Sequence, residues 1–123
     1  MSVTKNSDLI KLAIPTNDGD TIFNRMLGQA DFFNIYEIDK KGYKLIEKRP
    51  NQYAKTLQHL KTLDVYQALK DCNVIISSKI GKKGIERLKE RHIKLIFKSG
   101  GIEDVLEKII TNNTNFLFMK DNQ

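Results

Sequence analysis

Three short apolar runs constrain this chain most: Leu9–Ile14, Val74–Ile76 and Ile93–Phe97. A strand with one wet face alternates apolar and polar side chains, and these runs do not, so each reads as a strand covered on both faces. The stretch Phe32–Ile38 is rich in aromatic and β-branched residues and predicts a further strand. Asp39-Lys-Lys-Gly42 closes a hairpin into Tyr43–Lys48, and Pro50 ends that strand. The period then changes. Between Thr62 and Asp71, Val65, Ala68 and Leu69 share one helical face; Gly81-Lys-Lys-Gly84 opens a helix with Ile85 and Leu88 inward. Ser99-Gly-Gly101 precedes an amphipathic helix carrying Ile102, Val105, Leu106, Ile109 and Ile110, with Glu103 and Asp104 at the positive end of its dipole.

The order β-β-β-α-β-α-β-α predicts an α/β fold. Three hairpin-connected strands come first, then right-handed crossover units. The sheet is mixed, with helices on its faces and the apolar strands 9–14, 74–76 and 93–97 parallel in its middle. At 123 residues the chain is expected to form one domain. Its tail, residues 111–123, holds one more apolar run, Phe116–Met119, placed to add an edge strand or to pair with a second copy, so the chain is expected to be a monomer or a homodimer. The N-terminus has no signal-peptide pattern and no run is long enough to cross a membrane, so a cytoplasmic protein is expected.

The single cysteine, Cys72, excludes an internal disulfide and a metal site made of this chain's cysteines alone. A net charge of +6 and a pI near 9.4 favour anionic partners. The charge is uneven. Residues 40–61 carry seven basic and one acidic side chain, and residues 79–98 carry eight and two, so the basic excess lies in two blocks. Solvated faces account for most of these lysines. Aromatic interleaving in the basic blocks is sparse, with Tyr43 and Tyr53 the main candidates, which makes nucleic acid the weaker partner class.

There is no Gly-x-Ser-x-Gly elbow, no Walker A loop and no dinucleotide fingerprint. The aspartates, among them Asp18, Asp20, Asp31, Asp39 and Asp71, fall in turns and at element ends rather than in a converging metal pair. No catalytic set is therefore expected. Two glycine-containing loops follow predicted parallel strands: Ser78–Gly84, with Lys79, Gly81, Lys82 and Gly84, and Lys98–Gly101, with Ser99 and Gly100. Free N–H groups at a helix start, with lysines nearby, can hold an anion. Turn chemistry explains the first loop equally well, and for the second a tight glycine turn into a capped helix is the favoured explanation. Ile22–Ala30, with Met26 and Gly28, is too apolar for a simple surface loop and is expected to pack over the sheet end or to cover a ligand there. Soft ligands are few. Cys72 reads first as an inert buried thiol, His59 as an accessible side chain and His92 as a partner of a helix C-terminus.

Several ordered segments resemble the dinitrogenase iron–molybdenum cofactor biosynthesis family: Leu12-Ala-Ile-Pro-Thr-Asn-Asp-Gly19, Gly28–Tyr36, Leu69-Lys-Asp-Cys-Asn-Val-Ile-Ile76, Gly81–Leu88, Ile93–Phe97 and Gly100-Gly-Ile-Glu-Asp-Val-Leu106. Together they cover about residues 9–110. The resemblance implies a ribonuclease H-like, three-layer fold with a five-stranded mixed sheet and no enzymatic activity. It implies a carrier of iron–molybdenum cofactor or an iron–sulfur cluster that works beside nitrogenase-type or iron–sulfur assembly proteins. The site would combine Met26, Gly28, His59, Lys79, Gly81, Lys82, Gly84, Ser99 and Gly100, with His59 and Cys72 as the candidate metal ligands. One departure stands out. Relatives often carry His-Phe-Gly where this chain has Met26-Leu27-Gly28, and a histidine-rich stretch is reduced to His59.

Overall fold

A computed structural model describes residues 9–39, 41–51 and 61–112. His59 and the run Phe116–Met119 lie outside them. The strands are β1 (Ile10–Thr16), β2 (Phe32–Asp39), β3 (Gly42–Pro50), β4 (Val74–Ser77) and β5 (Lys94–Phe97); the helices are α1 (Lys61–Leu69), α2 (Lys82–Glu90) and α3 (Ile102–Asn112). One five-stranded mixed sheet has the order β3-β2-β1-β4-β5. β1, β4 and β5 are parallel, while β2 is antiparallel to both β1 and β3.

The pleat sorts the core into two layers. Leu12, Ile14, Tyr36, Ile38, Val74 and Ile76 face α3, where Ile102, Val105, Leu106 and Ile109 pack on them. Ala13, Phe33, Ile35 and Ile75 face the other way, against Val65 and Leu69 of α1 and Leu88 of α2. Helices thus cover both faces, which is why the central strands lack alternation.

Three expectations need correction. β5 is parallel as expected but sits at an edge, not in the middle. Only β2 and β3 are joined by a hairpin, at Asp39, whose carboxylate accepts the N–H groups of Lys41 and Gly42 at 2.8 and 3.0 Å; β1 reaches β2 through the long segment 17–31. Ile85 is half-buried, and it is Gly84 and Leu88 that α2 buries.

β3 is the other edge. It carries Lys44, Lys48 and Pro50, and a register shift opposite Ile35 and Tyr36. Lysines, a bulge and a proline all discourage pairing with a further chain, even though Leu45 is 49% exposed.

α2 ends in a Schellman motif. The N–H of Ile93 donates to the Leu88 carbonyl and that of His92 to the Lys89 carbonyl. His92 takes the left-handed φ of 64° that this motif requires. Its role is to stop the helix at a position that favours glycine, where an L side chain costs about 1–2 kcal/mol. His92→Gly should therefore raise the unfolding free energy by about 0.5–1 kcal/mol, net of the flexibility glycine adds to the unfolded chain. A urea titration checks this, and an unchanged or lower midpoint would count against it.

Candidate functional site

The site begins at Pro15. β1 continues through it to Thr16, paired with β2 throughout, rather than stopping there. Proline has no N–H to give a ladder. The Pro15 carbonyl accepts the Phe23 N–H at 2.9 Å, which places the edge of this residue away from β2. On that side β1 pairs with β4 only at Leu12 and Ala13. The two parallel strands part beyond this point, and the chain from Asp20 to Ala30 enters as a strap.

Main-chain bonds stitch the strap down. The Ile22 N–H donates to the Gly100 carbonyl at 2.9 Å, the Leu27 N–H to the Lys79 carbonyl at 3.0 Å, and the Ile102 N–H to the Asp20 carbonyl at 2.8 Å. The Ser78 hydroxyl donates to the Phe23 carbonyl at 2.8 Å. Asn51, at the end of β3, holds the far side: its side-chain amide donates to the Gly28 and Ala30 carbonyls at 3.1 and 2.8 Å. The expected cover over the sheet end is thus present, tied to both glycine-containing loops.

The strap leaves two hollows. One is an apolar cleft of about 240 Å³ lined by residues 26–29, Val65, Ile80, Gly81 and Leu88. Met26 stands at it 45% exposed. Gly81 is the N-cap of α2, with no side chain capping the helix. The free N–H groups of the first turn and the positive end of the helix dipole are thus left for another acceptor. The second hollow is a groove of about 380 Å³ lined by Asn24, Ser78, Lys79, Phe97, Lys98 and Ser99.

The expected site residues divide between them. Met26, Gly28 and Gly81 line the cleft, and Lys82 and Gly84 occupy the first turn of α2 beside it. Lys79 and Ser99 line the groove. Gly100, at φ 101°, makes the turn that presents its carbonyl to Ile22. Cys72 joins neither. It precedes the N-terminal end of β4, whereas Ser78 and Lys79 follow the C-terminal end, with ~13 Å of strand between. Its thiol is buried, and desolvation, with the Asp71 charge beside it, pushes its pKa up to about 12. A protonated thiol is a poor metal ligand. Among the described residues no three His, Cys, Asp or Glu side chains converge as a metal site.

Sequence reasoning did not single out Phe97, Asn24, Arg49 or Asn51. Phe97 ends an apolar run whose pattern predicts a strand covered on both faces, yet it is 46% exposed at the edge of the sheet. Nothing in its own run distinguishes it; its position just before Lys98-Ser-Gly-Gly101 is the available signal.

Two carboxylates shape the surroundings. Asp18 accepts the N–H groups of Thr21 and Asp20 and both threonine hydroxyls of its turn. These backbone and hydroxyl donors hold its carboxyl well below the usual range. Asp71, exposed in the turn after α1, is an ion-pair partner all the same: Arg49 donates to both of its oxygens, at 2.9 and 3.1 Å. The same guanidinium donates to Glu47 and to the Ala68 carbonyl near the end of α1.

Fold and hollows together define a class: a mixed-sheet α/β domain with ligand-sized concavities beyond the carboxyl ends of its parallel strands. The family model for dinitrogenase iron–molybdenum cofactor proteins matches residues 8–112, and the chain belongs to that family. Solved structures share the fold. A NifB-like protein from Thermotoga, of the DUF35 family, aligns with TM-score 0.62 and 23% identity over 84% of this chain and 89% of its own. The apo form of the orange protein from Desulfovibrio gigas gives 0.66 and 18% over 82% and 87%. A dinitrogenase-like protein from Methanocaldococcus jannaschii gives 0.57 and 20% over 88% of each chain. No curated protein matches the sequence. Among the described residues no helix is long and apolar enough to cross a membrane.

Proposed function

We propose that this protein is a cytoplasmic, non-catalytic carrier of an anionic metal cluster, of the iron–sulfur or iron–molybdenum kind, which it passes to assembly proteins of the nitrogenase or iron–sulfur type. In this reading the sheet is a ribonuclease H-like one. The observation that carries the proposal is the apolar cleft closed at one side by the uncapped N-terminus of α2, in a chain of this family. An apolar pocket with few polar groups suits a ligand that must be shielded from water. The α2 N–H groups and Lys82 would meet the negative charge, and the Met26 thioether offers a soft donor at the mouth. The cluster is cargo here: the chain contributes shelter, charge and the Met26 donor, and catalyses no reaction on it.

Gly81→Asp separates binding from folding. A β-carbon at Gly81 would meet nothing within 4 Å. An aspartate N-cap should stabilise α2 by a few tenths of a kcal/mol while placing a negative charge where the cargo sits. Anaerobic reconstitution with iron and sulfide, or with isolated cofactor, should give metal and visible absorbance that co-elute with the native chain and are lost from Gly81→Asp. If neither co-elutes with the native chain, the proposal fails.

A further inference from the structure

The groove on the other side of the strap has different chemistry from the cleft. β4 leads into α2 on one face of the sheet, and its neighbour β5 leads into α3 on the opposite face. Adjacent parallel strands whose connections leave to opposite faces form a topological switch point, and the crevice beyond their carboxyl ends is where open α/β sheets bind ligands. Asn24, Ser78, Lys79, Phe97, Lys98 and Ser99 line that crevice. Phe97 is the one exposed aromatic side chain among the described residues. Among the described residues no acidic side chain lines the groove. Among the described residues neither lysine is engaged in an ion pair. An exposed aromatic side chain and two lysines lining one groove lack two things at once, a planar partner and an anion.

We propose that this groove binds a nucleoside phosphate, with the base stacked on Phe97 and the phosphate held by Lys79 and Lys98. Ser99 and Asn24 supply a hydroxyl and an amide for the sugar or the base edge. The volume of about 380 Å³ lies within the range of small-molecule pockets. Base stacking on an aromatic side chain and lysine contacts to phosphate are the two ordinary components of such binding. Free nucleotide and the end of a single-stranded nucleic acid share this chemistry.

The test is a titration of the isotope-labelled full chain, free of metal, followed by amide NMR. The probes are AMP, adenosine, inorganic phosphate and a short single-stranded RNA. AMP should shift the Ser78, Lys79, Lys98 and Ser99 signals saturably, with adenosine and phosphate each binding at least about tenfold more weakly. Phe97→Ala should weaken AMP binding about tenfold, and Lys98→Glu should abolish it. Both side chains are on the surface, so both variants should fold. RNA binding that exceeds AMP and falls steeply with salt identifies a single strand as the source; equal binding identifies free nucleotide. The proposal is overturned if AMP gives no saturable shift at these residues, or if both variants bind it as the native chain does. The cluster proposal is tested on the other hollow with other probes, so either can fail while the other stands.

Discussion

Leu88→Ala should cost about 3 kcal/mol of unfolding free energy, within the 2–5 kcal/mol span for leucine truncations in cores. Leu88 is fully buried and does three things at once. It packs with Val65, Leu69 and Ile75 in the layer under α1 and α2. It forms the floor of the apolar cleft. Its carbonyl also accepts the Ile93 N–H that closes the end of α2. Alanine keeps the carbonyl and so the helix stop, but it removes the packing and joins the new void to the cleft. Urea denaturation should show a lower midpoint at unchanged slope, the mark of lost stability without a looser native state. An enlarged cleft should also bind small apolar probes more tightly than the native one does. A loss under about 1 kcal/mol would mean that α2 collapses onto the space, and that the cleft wall is softer than the packing implies.

Arg49→Ala should be the next largest effect, about 2 kcal/mol. One guanidinium, mostly buried, ties edge strand β3 to Asp71, to Glu47 and to the Ala68 carbonyl at 2.6 Å. Hydrogen bonds to charged groups contribute about 1.5–3 kcal/mol each when sheltered, and here both carboxylates are partly solvated, so the sum is discounted. The pH dependence supplies an independent check. The Arg49 guanidinium lowers the Asp71 pKa to about 2 and holds Glu47 below its usual range. For a group whose folded pKa is depressed, the stabilisation is complete above its unfolded pKa, ~4, and disappears as pH falls through the folded one. The difference between native chain and variant should therefore be constant above pH ~5 and shrink between pH ~4 and ~2. A difference that stays constant to pH ~2 would show that Arg49 acts through packing alone.

Element types were legible in the sequence because periodicity reports burial directly. Leu12, Ile14 and Ala13 lack alternation since helices cover both faces, and the spacing from Ile102 to Ile109 matches the one face that α3 buries. Strand order was less legible. Ile93–Phe97 has the apolar character of a central strand but lies at an edge, since hydrophobicity along a strand reports what covers its faces and not whether both sides are paired. The apolar run Leu9–Ile14 stops short of Pro15, yet β1 continues through it to Thr16 because a proline there interrupts only the side facing β4. The site was half legible. Glycines and lysines marked the loops, but nothing local could show that the strap divides them into an apolar cleft and a basic groove. That division depends on bonds between residues as distant as Leu27 and Lys79, or Asn51 and Gly28.

Buried Ile22, Leu27 and Ala30 seat the strap in the core, and its hydrogen bonds run through its own amides and carbonyls, at Ile22, Phe23 and Leu27. Every residue type except proline carries both groups, so an exposed side chain along it, such as Met26, can change while its path stays fixed. Position 26 is therefore a socket that accepts alternative fittings. Set against the histidine that the family resemblance implies there, methionine exchanges a borderline, titratable donor for a soft, neutral one. On the carrier reading we propose, a substitution at position 26 would change the donor at the mouth of the cleft while the main-chain bonds of the strap stay in place.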